Sequence, residues 1–178
     1  MPTLRVYPSS IIEAGPGFTS TELSYILGNT TNYATYTGTV PVGGVIGGIL
    51  GFSMSGLPED ALVSQITGTI IARSSATNRM AFQSVSLEDT DGVLLDKTTL
   101  KNLGTSNTTC SVVFYQADLG NLVVNTLKDP SLMWKFLFRS LNGTSSSTTR
   151  WQKAYLDIVY STLVLPKVDD HMLTMHSV

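Results

Sequence analysis

The sequence predicts an all-β fold, an antiparallel β-sandwich of jelly-roll type with extended N- and C-terminal arms. Three observations predict it. Apolar and polar residues alternate with period two through most segments. Those segments are rich in β-branched and aromatic residues, and Gly, Asn, Asp and Pro cluster between them. No strand–helix rhythm runs along the 178 residues, which argues against a parallel α/β fold.

The strands follow in order. Leu4–Tyr7 opens, then Tyr33–Val40. Val45–Met54 comes next, in which Gly47, Gly48 and Gly51 mark a bulge or a close backbone approach. Gly56–Asp60 is a turn. Ile66–Arg73 and Met80–Glu88 follow, the second with Ala81, Gln83, Val85 and Leu87 expected on one face. Asp89-Thr90-Asp91-Gly92 reads as a hairpin turn with positive φ at Gly92, returning through Val93–Leu95. Ser111–Tyr115 is a short strand, and Gln116–Leu122 suits one helical turn. Asp129-Pro130 breaks the chain before Met133–Leu141, where Trp134, Phe136 and Phe138 share a face. Trp151–Leu165 is the last strand. About eight strands at this spacing suit a sandwich.

Composition narrows the function. Only 13% of residues are charged, against about a quarter in ordinary domains, while Ser and Thr supply roughly a quarter of the chain. A net charge of −2 argues against an electrostatic nucleic-acid binder and against a polybasic membrane anchor. The longest apolar run, Val42–Met54, is too short to cross a bilayer as a helix. No secretory leader is visible at Met1–Arg5, so synthesis in a cytoplasm is expected. Cys110 is the sole cysteine, which excludes an internal disulfide and a cysteine-based zinc site.

Candidate chemistry is sparse. Asp89–Gly92 begins like a calcium loop, but Val93, Leu94 and Leu95 stand where ligands should follow, so a turn is the better reading. His171 and His176 are the two histidines, and they fall in the tail away from any sandwich triad. The glycine-rich Gly43–Gly48 lacks the Lys-Ser/Thr of a phosphate loop. Paired carboxylates at Glu59/Asp60 and Asp169/Asp170 flank turns and tails. No enzyme, cofactor or metal is expected. Among the aromatic residues, Trp134 belongs to a core face. Trp151, beside Arg150 at a strand edge, and Tyr36 are candidate contacts for glycan or a partner, with core packing as the other reading of the tryptophan. The polar tail Pro166–Val178, carrying Pro166, Asp169, Asp170, His171 and His176, is a candidate assembly segment lying on a neighbour. Packing onto its own domain is the alternative.

Several segments in order resemble a jelly-roll module of tailed-bacteriophage virion proteins. They are Asn32–Tyr36, Leu50–Ser53 running to Leu57–Ala61, and the entry strand Val63–Ile70. Ala117-Asp118-Leu119, Asp129–Phe136 and the closing Tyr155–Tyr160 complete the series. The similarity spans about residues 30–165 and departs from the pattern at Gly120-Asn121 and Lys135-Phe136. It implies a non-enzymatic structural part of a virion, made in the host cytoplasm. The favoured role is a capsid decoration or cement protein holding the major capsid protein or other virion proteins through its arms. A tail-fibre or appendage domain that binds host surface glycan is the alternative. The expected organisation is an N-terminal arm at 1–22, a sandwich at 23–165 and a C-terminal tail at 166–178. A homo-oligomer, favouring a trimer, is expected, with neither nucleic acid nor membrane as partner.

Overall fold

A computed structural model describes residues 1–162, apart from 16, 121 and 144–145. The described chain forms two antiparallel sheets packed face to face. Its strands are β1 (Thr3–Val6), β2 (Pro8–Glu13), β3 (Ala34–Gly38), β4 (Val45–Phe52) and β5 (Ala61–Ser74). They continue as β6 (Met80–Glu88), β7 (Val93–Asn102), β8 (Thr108–Tyr115), β9 (Met133–Ser140) and β10 (Ser147–Thr162). Three short helices interrupt them: α1 (Ser20–Ser24), α2 (Gln116–Leu119) and α3 (Val124–Leu127). Sheet A has the order β1-β10-β5-β8, with β3 continuing the β1 edge along β10; sheet B has the order β2-β4-β9-β6-β7. This is the jelly-roll sandwich that the sequence predicts.

The core is aromatic. Trp134, Phe136 and Phe138 alternate inward along β9 and are almost fully buried. Trp151 of sheet A meets Phe136 and Phe138 of sheet B at ring-centroid distances of 5.9 and 5.8 Å. Phe82 joins Phe138 at 5.8 Å, and Phe114 joins Trp134 at 6.3 Å. Such tilted and edge-on contacts are the favoured aromatic geometry, each adding about 0.5–1.5 kcal/mol beyond area burial. The sheets can close because glycine admits them. A Cβ on Gly47 would strike the Phe136 carbonyl and the Leu137 side chain, and one on Gly48 would stand 2.7 Å from Leu23 Cδ1. The glycine tract is therefore a close approach of strands.

The face expected for Met80–Glu88 needs correction. A register shift between Phe82 and Ser84 makes Gln83 the extra residue of a bulge. Phe82, and not Gln83, then enters the core ahead of Val85 and Leu87. The Asp89–Gly92 segment is a hairpin turn. Asp89 Oδ1 accepts from the amides of Asp91 and Gly92 at 2.8 and 2.9 Å, and Gly92 has φ of +145°.

The described residues of the expected arm 1–22 lie along the sandwich itself. β1 pairs with β10 and β2 pairs with β4, so one short segment edges both sheets. Phe18 and Leu23 then enter the core. A capping box closes α1: Glu22 N donates to Thr19 Oγ1 and Thr19 N donates to Glu22 Oε2. The tail 166–178 and the last three residues of the expected strand, 163–165, lie outside the described residues.

Candidate functional site: two poles and an outer face

β10 and β5 run the length of sheet A and give the molecule two poles. At one pole Thr162 faces Ala61, Thr3 pairs with Val159, and Tyr160 N donates to Pro2 O at 3.2 Å. The two ends of the described chain therefore lie together. Beside them is a cavity of about 340 Å³ whose apolar part is Leu62, Leu122, Val123 and Val124 and whose rim carries Glu59 and Asp60. Leu62 is 54% exposed and Val123 58% exposed, large values for aliphatic side chains side by side. The turn into β5 and the helix α3 put them there.

At the other pole Arg150 and Arg73 are register partners across β10 and β5. They point away from the core because their neighbours Trp151 and Ala72 point in. A cavity of about 270 Å³ lies against them, completed by Ser74, Ser75, Thr105 and Thr148. The Arg73 guanidinium carbon stands 5.2 Å from the Tyr33 ring centroid.

Between the poles, the outer face of sheet A carries a chain of linked polar groups. Asp157 accepts a two-pronged contact from Arg5, with both N···O distances 2.7 Å. That hydrogen bond holds the guanidinium protonated beyond its ordinary range. Arg5 lies 4.2 Å over the Tyr155 ring, Tyr155 neighbours Tyr7 at 6.1 Å, and Lys153 stands 5.8 Å over Tyr7. Lys153 Nζ donates onward to Asn29 Oδ1 at 2.7 Å. At the β8 edge Lys97 donates to Asp118 Oδ2 at 2.9 Å and, with the Tyr115 amide, lowers that carboxyl's pKa.

The sequence candidates fall in different places. Trp151 is a correction: it is fully buried, with Phe18, Phe136 and Phe138 around it, and offers no ring to a ligand. Arg150 is exposed and lines the cavity at its pole. Tyr36 is half-buried against Phe18 at 6.0 Å, a wall more than a platform. Pro166, Asp169, Asp170, His171 and His176 lie outside the described residues. Among the described residues no three His, Cys, Asp or Glu gather as a metal site. Arg73, Leu62 and Val123 were not singled out from sequence, since only strand register and burial reveal them. Cys110 is buried, which pushes its thiol up to about 11.

No family model matches the chain, and no curated protein matches it. Solved structures do match in shape. The arabinose-bound α-L-arabinofuranosidase MgGH51 has a TM-score of 0.49 at 12% identity, over 86% of this chain and 26% of that one. The N-terminal cellulose-binding domain of Cellulomonas fimi β-1,4-glucanase C scores 0.39 at 13% identity, over 90% of each chain. A chain of infectious bursal disease virus, Gt strain, scores 0.42 at 9% identity, over 88% of this chain and 31% of that one. At such scores and identities these likenesses carry no argument about activity. The architecture itself stands on the strand pairing: an antiparallel jelly-roll sandwich with an apolar pole beside Thr3 and Thr162 and an arginine pole opposite.

Proposed function

We propose that the chain is a non-catalytic structural module of a virus particle, a decoration protein of a phage head, seated on its neighbours by the pole where Pro2 meets Tyr160. The observation that carries this reading is the pair Leu62 and Val123, exposed side by side with Leu122 beneath an acidic rim. An apolar centre inside a polar rim is the usual anatomy of a protein–protein contact. The low surface charge supports it, since few charged groups need desolvating on assembly. The polar composition of 166–178 suits an assembly segment that reinforces the contact. A second reading, an appendage domain for host surface glycan, is favoured by the tyrosine- and amide-bearing outer face of sheet A.

The test is particle occupancy. Leu62→Asp combined with Val123→Asp leaves the fold intact, because both side chains are exposed, and lowers occupancy of purified particles at least about tenfold. Deletion of 166–178 lowers it further. Full occupancy by both variants, with host adsorption lost when Tyr155 and Lys153 are replaced by Ala, would overturn the decoration role in favour of the appendage.

A further inference from the structure

At the arginine pole two like charges stand together, neither in a salt bridge among the described residues. Register partners such as Arg73 and Arg150 have Cβ atoms about 4.5–5.5 Å apart, and like charges so placed are destabilising. The third residue of that row, on β3, is Thr35, which is neutral. Three salt bridges occur among the described residues, and neither arginine takes part in one. The Arg73 guanidinium carbon also stands 5.2 Å from the centroid of the Tyr33 ring. A guanidinium carries five N–H donors, more than one ring contact engages, so donors remain for an acceptor.

The hydroxyl residues of the lining are Ser75, Thr105 and Thr148, while Ser74, next to Arg73, turns its side chain inward with Ala72. Its rim is fixed by backbone hydrogen bonds, Ser75 N to Thr148 O at 2.7 Å and Ser74 N to Gly104 O at 2.9 Å. Ser75 Oγ accepts from Thr148 N at 2.9 Å, which leaves its own proton to donate. Two forked cations beside hydroxyl-bearing Ser75, Thr105 and Thr148 match an oxyanion on a polyhydroxy ligand. At about 270 Å³ the cavity sits just below the size of most ligand pockets, roughly 300–1,000 Å³, and so suits one charged unit.

We propose that the Arg73–Arg150 cavity is an oxyanion site, taking a carboxylate, sulfate or phosphate group, and that it selects acidic saccharide. The oxyanion part stands on the cavity alone; the saccharide part rests on the glycan reading above. No bond is made or broken, and recognition is by charge-assisted hydrogen bonds.

The experiment titrates the full chain with inorganic sulfate, inorganic phosphate, a sulfated oligosaccharide, a uronate oligosaccharide and a neutral oligosaccharide of equal length. Calorimetry gives affinity, and amide shifts at Ser75 and Thr148 give position. The expected result is binding of the acidic probes that weakens with added NaCl, and a loss of about tenfold in each of Arg73→Ala and Arg150→Ala. Arg150→Ala melts no lower than the parent, because it removes a repulsion and no side-chain hydrogen bond or ion pair among the described residues, which separates lost binding from lost fold. Equal binding of neutral and acidic saccharide, unchanged in both variants, would overturn the oxyanion site while sparing the glycan reading. Arginine-dependent sulfate binding with no saccharide bound would support the oxyanion site and overturn saccharide as its source. Displacement of sulfate by a synthetic peptide of residues 166–178 would overturn it as well, assigning the cavity to an acidic segment of a second copy.

Discussion

Replacing Trp151 separates a core residue from a ligand-binding one. Its indole is fully buried and meets three rings, Phe18 at 5.7 Å, Phe138 at 5.8 Å and Phe136 at 5.9 Å. Trp151→Ala removes those contacts and leaves a cavity between the sheets, a change that costs about 3–5 kcal/mol. For a chain of this size about 1 kcal/mol moves the melting temperature by 2–4 °C, so the variant should melt roughly 6–20 °C lower. Trp151→Phe sharpens the argument. The indole Nε1 is buried with no hydrogen-bond partner among the described residues. Leaving such a donor unpaired costs about 1–3 kcal/mol, and phenylalanine removes that cost while keeping most of the ring contact. The Phe variant should therefore lose no more than about 1–2 kcal/mol, well under half the Ala effect. Urea unfolding followed by far-ultraviolet circular dichroism measures both. A Trp151→Ala protein of parental stability that had lost binding would refute the buried placement and restore the ring to the surface.

Two further predictions concern the glycine tract and the thiol. Gly47→Ala drives a Cβ into the Phe136 carbonyl and should destabilise by about 3 kcal/mol, whereas Gly104→Ala, whose Cβ meets nothing closer than 3.9 Å, should be nearly neutral; thermal melts of the two side by side decide it. Cys110 is held neutral by burial, with its pKa raised from 9.0 to about 11. Between those values the unfolded chain releases the proton and the native one retains it. Stability contributed by the neutral thiol is thus complete below pH 9 and falls by about 2–3 kcal/mol as pH rises to 11. The difference between the parent and Cys110→Ala across that window, measured by urea unfolding, isolates the effect from lysine titration, and a pH-independent difference would refute it.

Much of the sandwich is written in local pattern. Met133–Ser140 alternates without interruption, and Trp134, Phe136 and Phe138 all point inward. The glycine tract likewise announced a close approach, which Gly47 against Phe136 supplies. Pattern failed where phase changes. In β10, Ala154, Leu156 and Ile158 face the core, and counting back by twos puts Trp151 outside. A bulge between Trp151 and Lys153 reverses the phase and turns Trp151 in and Arg150 out. Gln83 does the same to β6. An extra residue leaves no mark on composition, so these faces emerge only from pairing. β2 was missed for a related reason: its Pro8-Ser9-Ser10 start has weak strand propensity, and pairing with β4 imposes the extended form. The arginine pair also depends on register, since Arg73 and Arg150 are far apart in sequence and adjacent only across strands.

The meeting of Pro2 with Tyr160 gives the module a direction. Whatever is joined to either end of the described chain departs from one place, while Arg150 stands some nine strand residues away from Val159, about 30 Å along β10. Were both of those ends joined to one body, the module would stand on it as a post. Its free head is fixed by the geometry of the strands and not by the attachment. Residues near the head can therefore vary without disturbing how the post is planted, and residues near the base can vary without altering what the head meets.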